Sequence, residues 1–401
     1  MLDLKSFVVN DELVIDKLQW FQLNNSHTQE EIKEAISEVI QDLPFCLEKI
    51  TEEEAKKDFD ELVKFNSRQL LHNGHLLTKA EYKYGLSNWY IKNSIVGRRS
   101  SNYFHQLARW KTQHARYPSP YRTWTETRFH PTFLRALWSL NLGKVNNQIL
   151  RQAIQMTKYV ASQYPPAVAK CIYELFEAKN VLDFSMGWGD RLAGFHASNA
   201  ETYLGIDPNW EVMKNYPLQD DLYNSGKEAR FIHAPAEEID LGIWKRKFDM
   251  VFTSPPYFHV ERYSFGQNEE TQSWKRYGKN IDDWLEGFLY PTLNYSWEAL
   301  EDGGTMIINI ADVHATNNGK NEYIQICDPM NDFISGLSDA HYSGCFGLRL
   351  SRRPGQNMAA KHEPSYKTFI EPMWVWKKGD DRSLNQIIDD SSPLSKFFVG
   401  A

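Results

Sequence analysis

Cysteine is scarce in this sequence, with Cys46, Cys171, Cys327 and Cys345 scattered over 401 residues and no C-x-x-C pair among them. That spacing excludes a cysteine-built zinc site and a disulfide scaffold, so no metal is expected and four reduced, internal thiols are. Long apolar runs are missing too: nowhere do the roughly 18 charge-free residues of a membrane span occur together. The first residues, MLDLKSFVVNDELVIDKLQW, lack a basic stretch followed by an apolar one, and the expectation is a soluble, cytoplasmic protein. Positive charge is in deficit, 45 Lys and Arg against 52 Asp and Glu, for a net charge of −7. Such a balance gives no overall attraction to a phosphate backbone, so any nucleic-acid contact must come from local clusters. Internal repeats and low-complexity tracts are absent as well.

Aromatic residues, by contrast, are plentiful at 14% with 13 Trp, which fits either stacking surfaces or a bulky core. Residues 26–64 carry a helical period through Ile32, Ala35, Ile36, Val39 and Ile40, and the acidic run from Glu52 to Asp60 reads as a solvated helix face. From Lys92 to Arg135 the charge inverts. Arg98, Arg99, Arg109, Arg116, Arg122 and Arg128 alternate there with Tyr103, Trp110, Tyr117, Trp124 and Phe129, a mixture suited to holding phosphates and an unstacked base. The same residues also suit a small helical domain in which arginine stems pack on rings. Helices are expected over 147–160 and, opening at Pro165-Pro166, over 167–177.

Beyond that point short apolar runs alternate with amphipathic segments. Val181–Phe184, Tyr203–Ile206, Phe231–Ile232, Met250–Phe252, Thr305–Ile310, Phe346–Leu350 and Met373–Trp376 read as strands, which predicts an α/β sheet covered on both faces. The expected organisation is a mainly helical domain over 1–160 for target recognition, a catalytic domain over 161–378 and a tail over 379–401 that docks through Phe397-Phe398-Val399.

Two runs carry chemistry. In VLDFSMGWGDRLAGF, Gly187 and Gly189 follow a strand and precede a helix, where glycine lets the backbone turn sharply against a ligand. Asp207 closes the next strand, in position to accept hydrogen bonds from ribose hydroxyls. A full G-x-G-x-x-G needs glycine at Leu192, so a pyrophosphate dinucleotide is disfavoured and S-adenosylmethionine is the expected cofactor. Ala236, after the third strand, is expected to wall the adenine. The second run, Thr253-Ser254-Pro255-Pro256-Tyr257-Phe258, places a rigid Pro-Pro turn after a strand. An exocyclic amine of a base is a weak nucleophile because its lone pair is delocalised. Acceptors aimed at its N–H bonds, here the Ser254 hydroxyl and the Pro255 carbonyl, favour a reactive geometry. Tyr257, helped by Phe258, is suited to stack on a base swung out of its helix.

These residues resemble the S-adenosylmethionine-dependent amino-methyltransferases of DNA, which carry a glycine-rich cofactor motif and a catalytic (Asp/Asn/Ser)-Pro-Pro-(Tyr/Phe/Trp) motif. The resemblance covers about Tyr164 to Lys378. It implies a Rossmann-like class I methyltransferase sheet, with Asp183, Ser185, Gly187, Gly189, Asp207 and Ala236 at the cofactor and Ser254, Pro255, Pro256 and Tyr257 at the target base. The serine form is more typical of cytosine-N4 enzymes. Ser185 stands where that family's pattern has Phe. Base flipping, DNA as partner and DNA-binding roles for Phe258, Arg98, Arg99, Arg109, Arg116, Arg352 and Arg353 follow as expectations. Adenine N6, an RNA or protein amine, or a binding protein without turnover are the alternatives.

Overall fold

In the computed structural model, which describes residues 2–78, 80–350 and 367–391, the amphipathic stretch over 26–64 is two helices because it contains two start signals. Thr28 and Thr51 each accept the amide of the glutamate three residues on, Glu31 and Glu54, and each glutamate reaches back to its threonine amide. These reciprocal caps open helices at Gln29–Gln41 and Glu52–Lys64.

The two helices belong to different compact units. One unit comprises residues 1–50 and 106–162, the other 51–105 and 163–401. The single division expected near residue 160 is thus replaced by a discontinuous one. Its physical origin is that residues 71–91 form strands of the main sheet, whereas the helices after residue 106 share a core with the first 50 residues.

In the first unit Ile32, Ile36 and Ile40 from the Gln29–Gln41 helix share one core with Ile149, Leu150 and Ile154 from the Asn147–Thr157 helix. Trp110, Trp124 and Phe133 complete that core. Phe45 takes the edges of Trp110, Tyr121 and Trp124 at centroid separations of 5.5, 5.5 and 5.9 Å, geometries that aromatic quadrupoles favour.

In the second unit ten strands form one sheet among the described residues. They are β1 (Leu71–Asn73), β2 (His75–Leu77), β3 (Trp89–Ile91), β4 (Asn180–Asp183), β5 (Thr202–Ile206), β6 (Glu228–Ile232), β7 (Phe248–Thr253), β8 (Leu300–Asn309), β9 (Ala340–Arg349) and β10 (Lys367–Lys378). Their order is β1-β3-β9-β10-β8-β7-β4-β5-β6, with β2 beside β10. β4 to β8 run parallel, and β10 is antiparallel to both β8 and β9. Helices Asp190–Ala197, Tyr216–Tyr223 and Tyr290–Ala299 make the crossovers between successive parallel strands. This is a Rossmann-like α/β sheet with one antiparallel strand between β8 and β9. The winding reverses between β4 and β7, so a ligand crevice is expected at the carboxyl ends of these strands.

Fully buried Trp284, Trp297, Trp374 and Trp376 show that much of the tryptophan content is core. The indole N–H groups of Trp297, Trp374 and Trp376 reach the Ser338 carbonyl, the Ile310 carbonyl and Asn331 Oδ1 at 2.9, 3.1 and 2.9 Å. All four cysteines are free and buried, and burial pushes the Cys46 and Cys171 thiols up to about 12, away from thiolate chemistry. Among the described residues no helix is long and apolar enough to cross a membrane, and no group of His, Cys, Asp or Glu is arranged to hold a metal ion.

Candidate active site

β4 ends on Asp183, whose carboxylate is fully buried and used within the fold. Arg191, in the first turn of the following helix, reaches it through Nε at 2.7 Å and Nη2 at 3.1 Å. The Tyr203 hydroxyl of β5 donates to it at 2.7 Å, and the Thr253 hydroxyl at the end of β7 at 2.8 Å. The Ser185 amide adds a fourth donor. Asp183 therefore ties the end of β4 to β5 and to the end of β7, rather than presenting a lone carboxylate to a cofactor. Deleting one partner of such a buried pair leaves an uncompensated charge, a loss of about 3–5 kcal/mol.

The glycine turn follows Asp183 in the chain. Gly187 and Gly189 have φ of +66° and +69°, a left-handed backbone that glycine adopts without strain. A Cβ on Gly187 would meet only the Ser185 carbonyl oxygen, at 3.9 Å, so this backbone faces open space. At Gly189 a Cβ would lie 2.1 Å from Gln219 Oε1. Gln219 is fully buried and donates to the Gly189 carbonyl at 2.8 Å, while its Oε1 lies 2.8 Å from His105 Nε2. Burial holds His105 down to about 4 and hence neutral. The Tyr216 hydroxyl donates to the Gly187 carbonyl at 2.6 Å, bracing the turn from another helix. Asp207, just past β5, accepts the Gly187 amide on one oxygen and the Asn209 amide on the other, both at 2.8 Å. Burial pushes its carboxyl up to about 6, against the pull of these two amides. Ser185 is half-buried beside the turn, and Ala236 is buried after β6.

β7 delivers Thr253 to the Asp183 tie and then releases Ser254, half-buried, into the Pro-Pro turn. Tyr257 donates its hydroxyl to the Glu371 carboxylate and lies 3.3 Å from the Asn309 carbonyl. Burial first, then the Glu371 charge, drives the Tyr257 phenol far above its ordinary value, and the Ser254 hydroxyl beside it acts in the opposite sense. Phe258 departs from the expected stacking role. It is fully buried with its ring 6.0 Å from Trp284, at φ +55°. For an aromatic residue that backbone costs about 1–3 kcal/mol, which the surrounding core must hold. His259 is likewise internal, its Nε2 on the Thr316 carbonyl.

Glu371 escaped sequence reading, although a lone acid inside the apolar strand FIEPMWVW was a visible signal. Arg191, Thr253 and Gln219 were missed as well, because their partners lie on other strands or helices.

The basic segment is largely engaged internally. In the second unit Arg99 pairs with Glu54 at 3.1 Å, and Arg98 donates to Asn93 at 2.7 Å. Asp58 accepts the Gly97 and Ser100 amides, so the acidic helix seats the start of the basic one. In the first unit Arg109 reaches the Ala161 carbonyl at 3.3 Å, and Arg122 and Arg128 share Glu126. Arg116 and Tyr117 are exposed. Arg352, Arg353, Lys361 and the Phe397-Phe398-Val399 tail lie outside the described residues.

The chain matches no protein-family model and no curated protein. Solved structures similar to it include an rRNA methylase from Streptococcus thermophilus, at 13% identity over 55% of this chain and 99% of the other, with a TM-score of 0.33. They also include a SAM-dependent O-methyltransferase from Thermotoga maritima, at 12% identity over 58% and 71%, TM-score 0.31. A third is a putative S-adenosylmethionine-dependent methyltransferase from Listeria monocytogenes, at 13% identity over 53% and 100%, TM-score 0.30. At such scores these likenesses carry no weight, and fold and site rest on strand order and on the contacts above.

Proposed function

We propose that this protein is an S-adenosylmethionine-dependent methyltransferase acting on an exocyclic amine of a nucleic-acid base, with cytosine N4 in DNA as the first choice. The observation that carries the reading is the linkage of three neighbouring strand ends. Thr253 meets Asp183, and the Gly187 amide meets Asp207, so the glycine turn, the ribose-type carboxylate and Ser254 are held along one edge of the sheet. The residues fit the cofactor on two counts. Gly187 leaves its backbone side open, and each Asp207 oxygen keeps a lone pair beyond the amide it accepts, enough for two hydroxyls. S-adenosylmethionine, when bound, supplies an electrophilic methyl group.

What this chain supplies is orientation and acceptors. In this reading Ser254 and the Pro255 carbonyl receive the N–H bonds of the amine, and the half-buried Tyr257, pinned at its hydroxyl, offers its ring to an extruded base. Ser254 in place of Asp or Asn supports cytosine. The test is incubation with DNA and methyl-labelled cofactor followed by mass analysis of the nucleosides. Labelled N4-methylcytosine is expected. Labelled N6-methyladenine alone moves the target to adenine, and label in RNA but not DNA moves the substrate class.

A further inference from the structure

We infer that Arg262, carried on the ring of Trp274, is a phosphate-binding residue that grips the backbone of the strand bearing the target base, with the Ser273 hydroxyl as a second donor. The inference rests on the reading of this site as one that takes a nucleic-acid base.

Arg262 is the cation nearest the catalytic turn along the chain. Its guanidinium carbon lies 5.6 Å from the centroid of the Trp274 ring. Trp274 is itself fixed, because it is buried and its Nε1 donates to the Tyr263 carbonyl at 2.9 Å. The Tyr263 ring in turn meets Trp188, between the two glycines of the cofactor turn, at a centroid separation of 5.7 Å. Arg262 and Trp274 are thus anchored to the glycine turn in space and to the Pro-Pro turn through the chain. Among the described residues the half-buried Arg262 side chain makes no hydrogen bond and no ion pair, and its Nε is buried without an acceptor. Glu261 takes the Tyr263 hydroxyl, Glu269 takes the Gly266 amide and Lys275, and Glu237 and Glu238 receive Arg276, so none of these neutralises Arg262. Next to Trp274 the Ser273 hydroxyl is 7% exposed and also lacks a partner.

The ring of Trp274 attracts the guanidinium through its π face but accepts none of its five N–H bonds. What this arrangement lacks is an anion with paired oxygens. A guanidinium fork meets two phosphate oxygens at once, and a serine hydroxyl adds a third donor. An extruded base needs its own backbone held while it leaves the stack, and phosphate contacts supply that register. The catalytic turn itself brings no charge, since Ser254, Pro255, Pro256 and Tyr257 are neutral. Arg98 and Arg99, in the same unit, already hold Asn93 and Glu54. The other anion at hand in the proposed reaction is the carboxylate of the cofactor, and the two are separated by which ligand loses affinity when Arg262 is replaced.

Anisotropy titrations of a labelled DNA duplex at several salt concentrations test the contact, with calorimetric affinity for S-adenosylmethionine measured beside them. Arg262→Gln should weaken duplex binding about tenfold and reduce the dependence of log affinity on log salt by about one. Arg262→Lys, which keeps the charge and loses the fork, should retain the salt dependence and recover part of the affinity. Ser273→Ala should cost about threefold with no change in salt dependence. Single neutral methylphosphonates placed around the base that the wild type methylates should weaken wild-type binding at one position and weaken Arg262→Gln no further there. Affinity for S-adenosylmethionine should stay within about twofold in all three variants, since the contact is to the nucleic acid. Wild-type duplex affinity and salt dependence in Arg262→Gln overturn the phosphate contact. Loss of cofactor affinity with unchanged duplex binding also overturns it, and gives the cofactor carboxylate as the anion. Methylation of a nucleic-acid amine by the wild type, with undiminished duplex binding by Arg262→Gln, removes the contact alone. No transfer to any nucleic-acid amine removes the functional reading and the contact together.

Discussion

Asp183 and Asp207 sit at the ends of adjacent strands, both buried, yet their neighbours give them different work. Asp183 faces a guanidinium and two hydroxyls and is consumed by them. Asp207 faces only backbone amides, and burial lifts its carboxyl to about 6 from the usual value near 3.8. A raised carboxyl favours the folded state in its neutral form. That stability is fully present below about pH 4 and is lost as pH rises through about 6, at most about 3 kcal/mol at 1.36 kcal/mol per pH unit. Cofactor binding should run the other way, because the ionised carboxylate is the better acceptor for ribose hydroxyls. Calorimetric affinity for S-adenosylmethionine is expected to weaken as pH falls through about 6 and to lose that dependence in Asp207→Asn. A pH-independent affinity in the wild type removes Asp207 from the ribose site.

At the scale of elements, the turn between β4 and its helix has two glycines with unequal tolerance. Both pay the left-handed backbone cost in any other residue, about 1–2 kcal/mol, but only at Gly189 does a methyl group collide with Gln219. Gly189→Ala should therefore lower the denaturant midpoint more than Gly187→Ala, and equal losses would argue against the Gln219 brace. Both glycines were legible in the sequence, as were the strands from Val181 to Trp376, since apolar runs bounded by turn residues are a local signal. The Pro-Pro turn was legible for the same reason. Phe258 was misread because adjacency to Tyr257 suggested a shared role, while a positive φ turned its ring into the core. Glu371 was missed because its partner lies on another strand, and periodicity within one strand says nothing about pairing with the next. The helical stretch over 26–64 was merged because its period continues across Leu43-Pro44, although Thr51 and Glu54 spelled out a second start.

For the whole molecule the net charge of −7 makes nucleic-acid binding a matter of a few exposed cations. Arg99, Arg109, Arg122 and Arg128 have partners within the fold, and Arg116 and Arg128 are exposed. Replacing Arg116 by Gln should reduce the dependence of log affinity on log salt by about one. Arg109→Gln should instead cost about 0.5–1.5 kcal/mol of folding stability with a smaller change in that slope. Anisotropy titrations of a labelled duplex at several salt concentrations measure both slopes, and equal changes would contradict the division drawn between these arginines. The discontinuous division of the chain bears on how it is synthesised. Tyr90 of β3 pairs with Gly347 of β9, so an edge of the main sheet leaves the ribosome long before the strand that covers it. Between these events strand backbone stays unpaired, and pairing at such sequence separation is expected to slow folding. It also means that cutting at residue 160 divides neither unit cleanly: an amino-terminal fragment would carry β1 to β3 without a sheet, and the remainder would lack its edge.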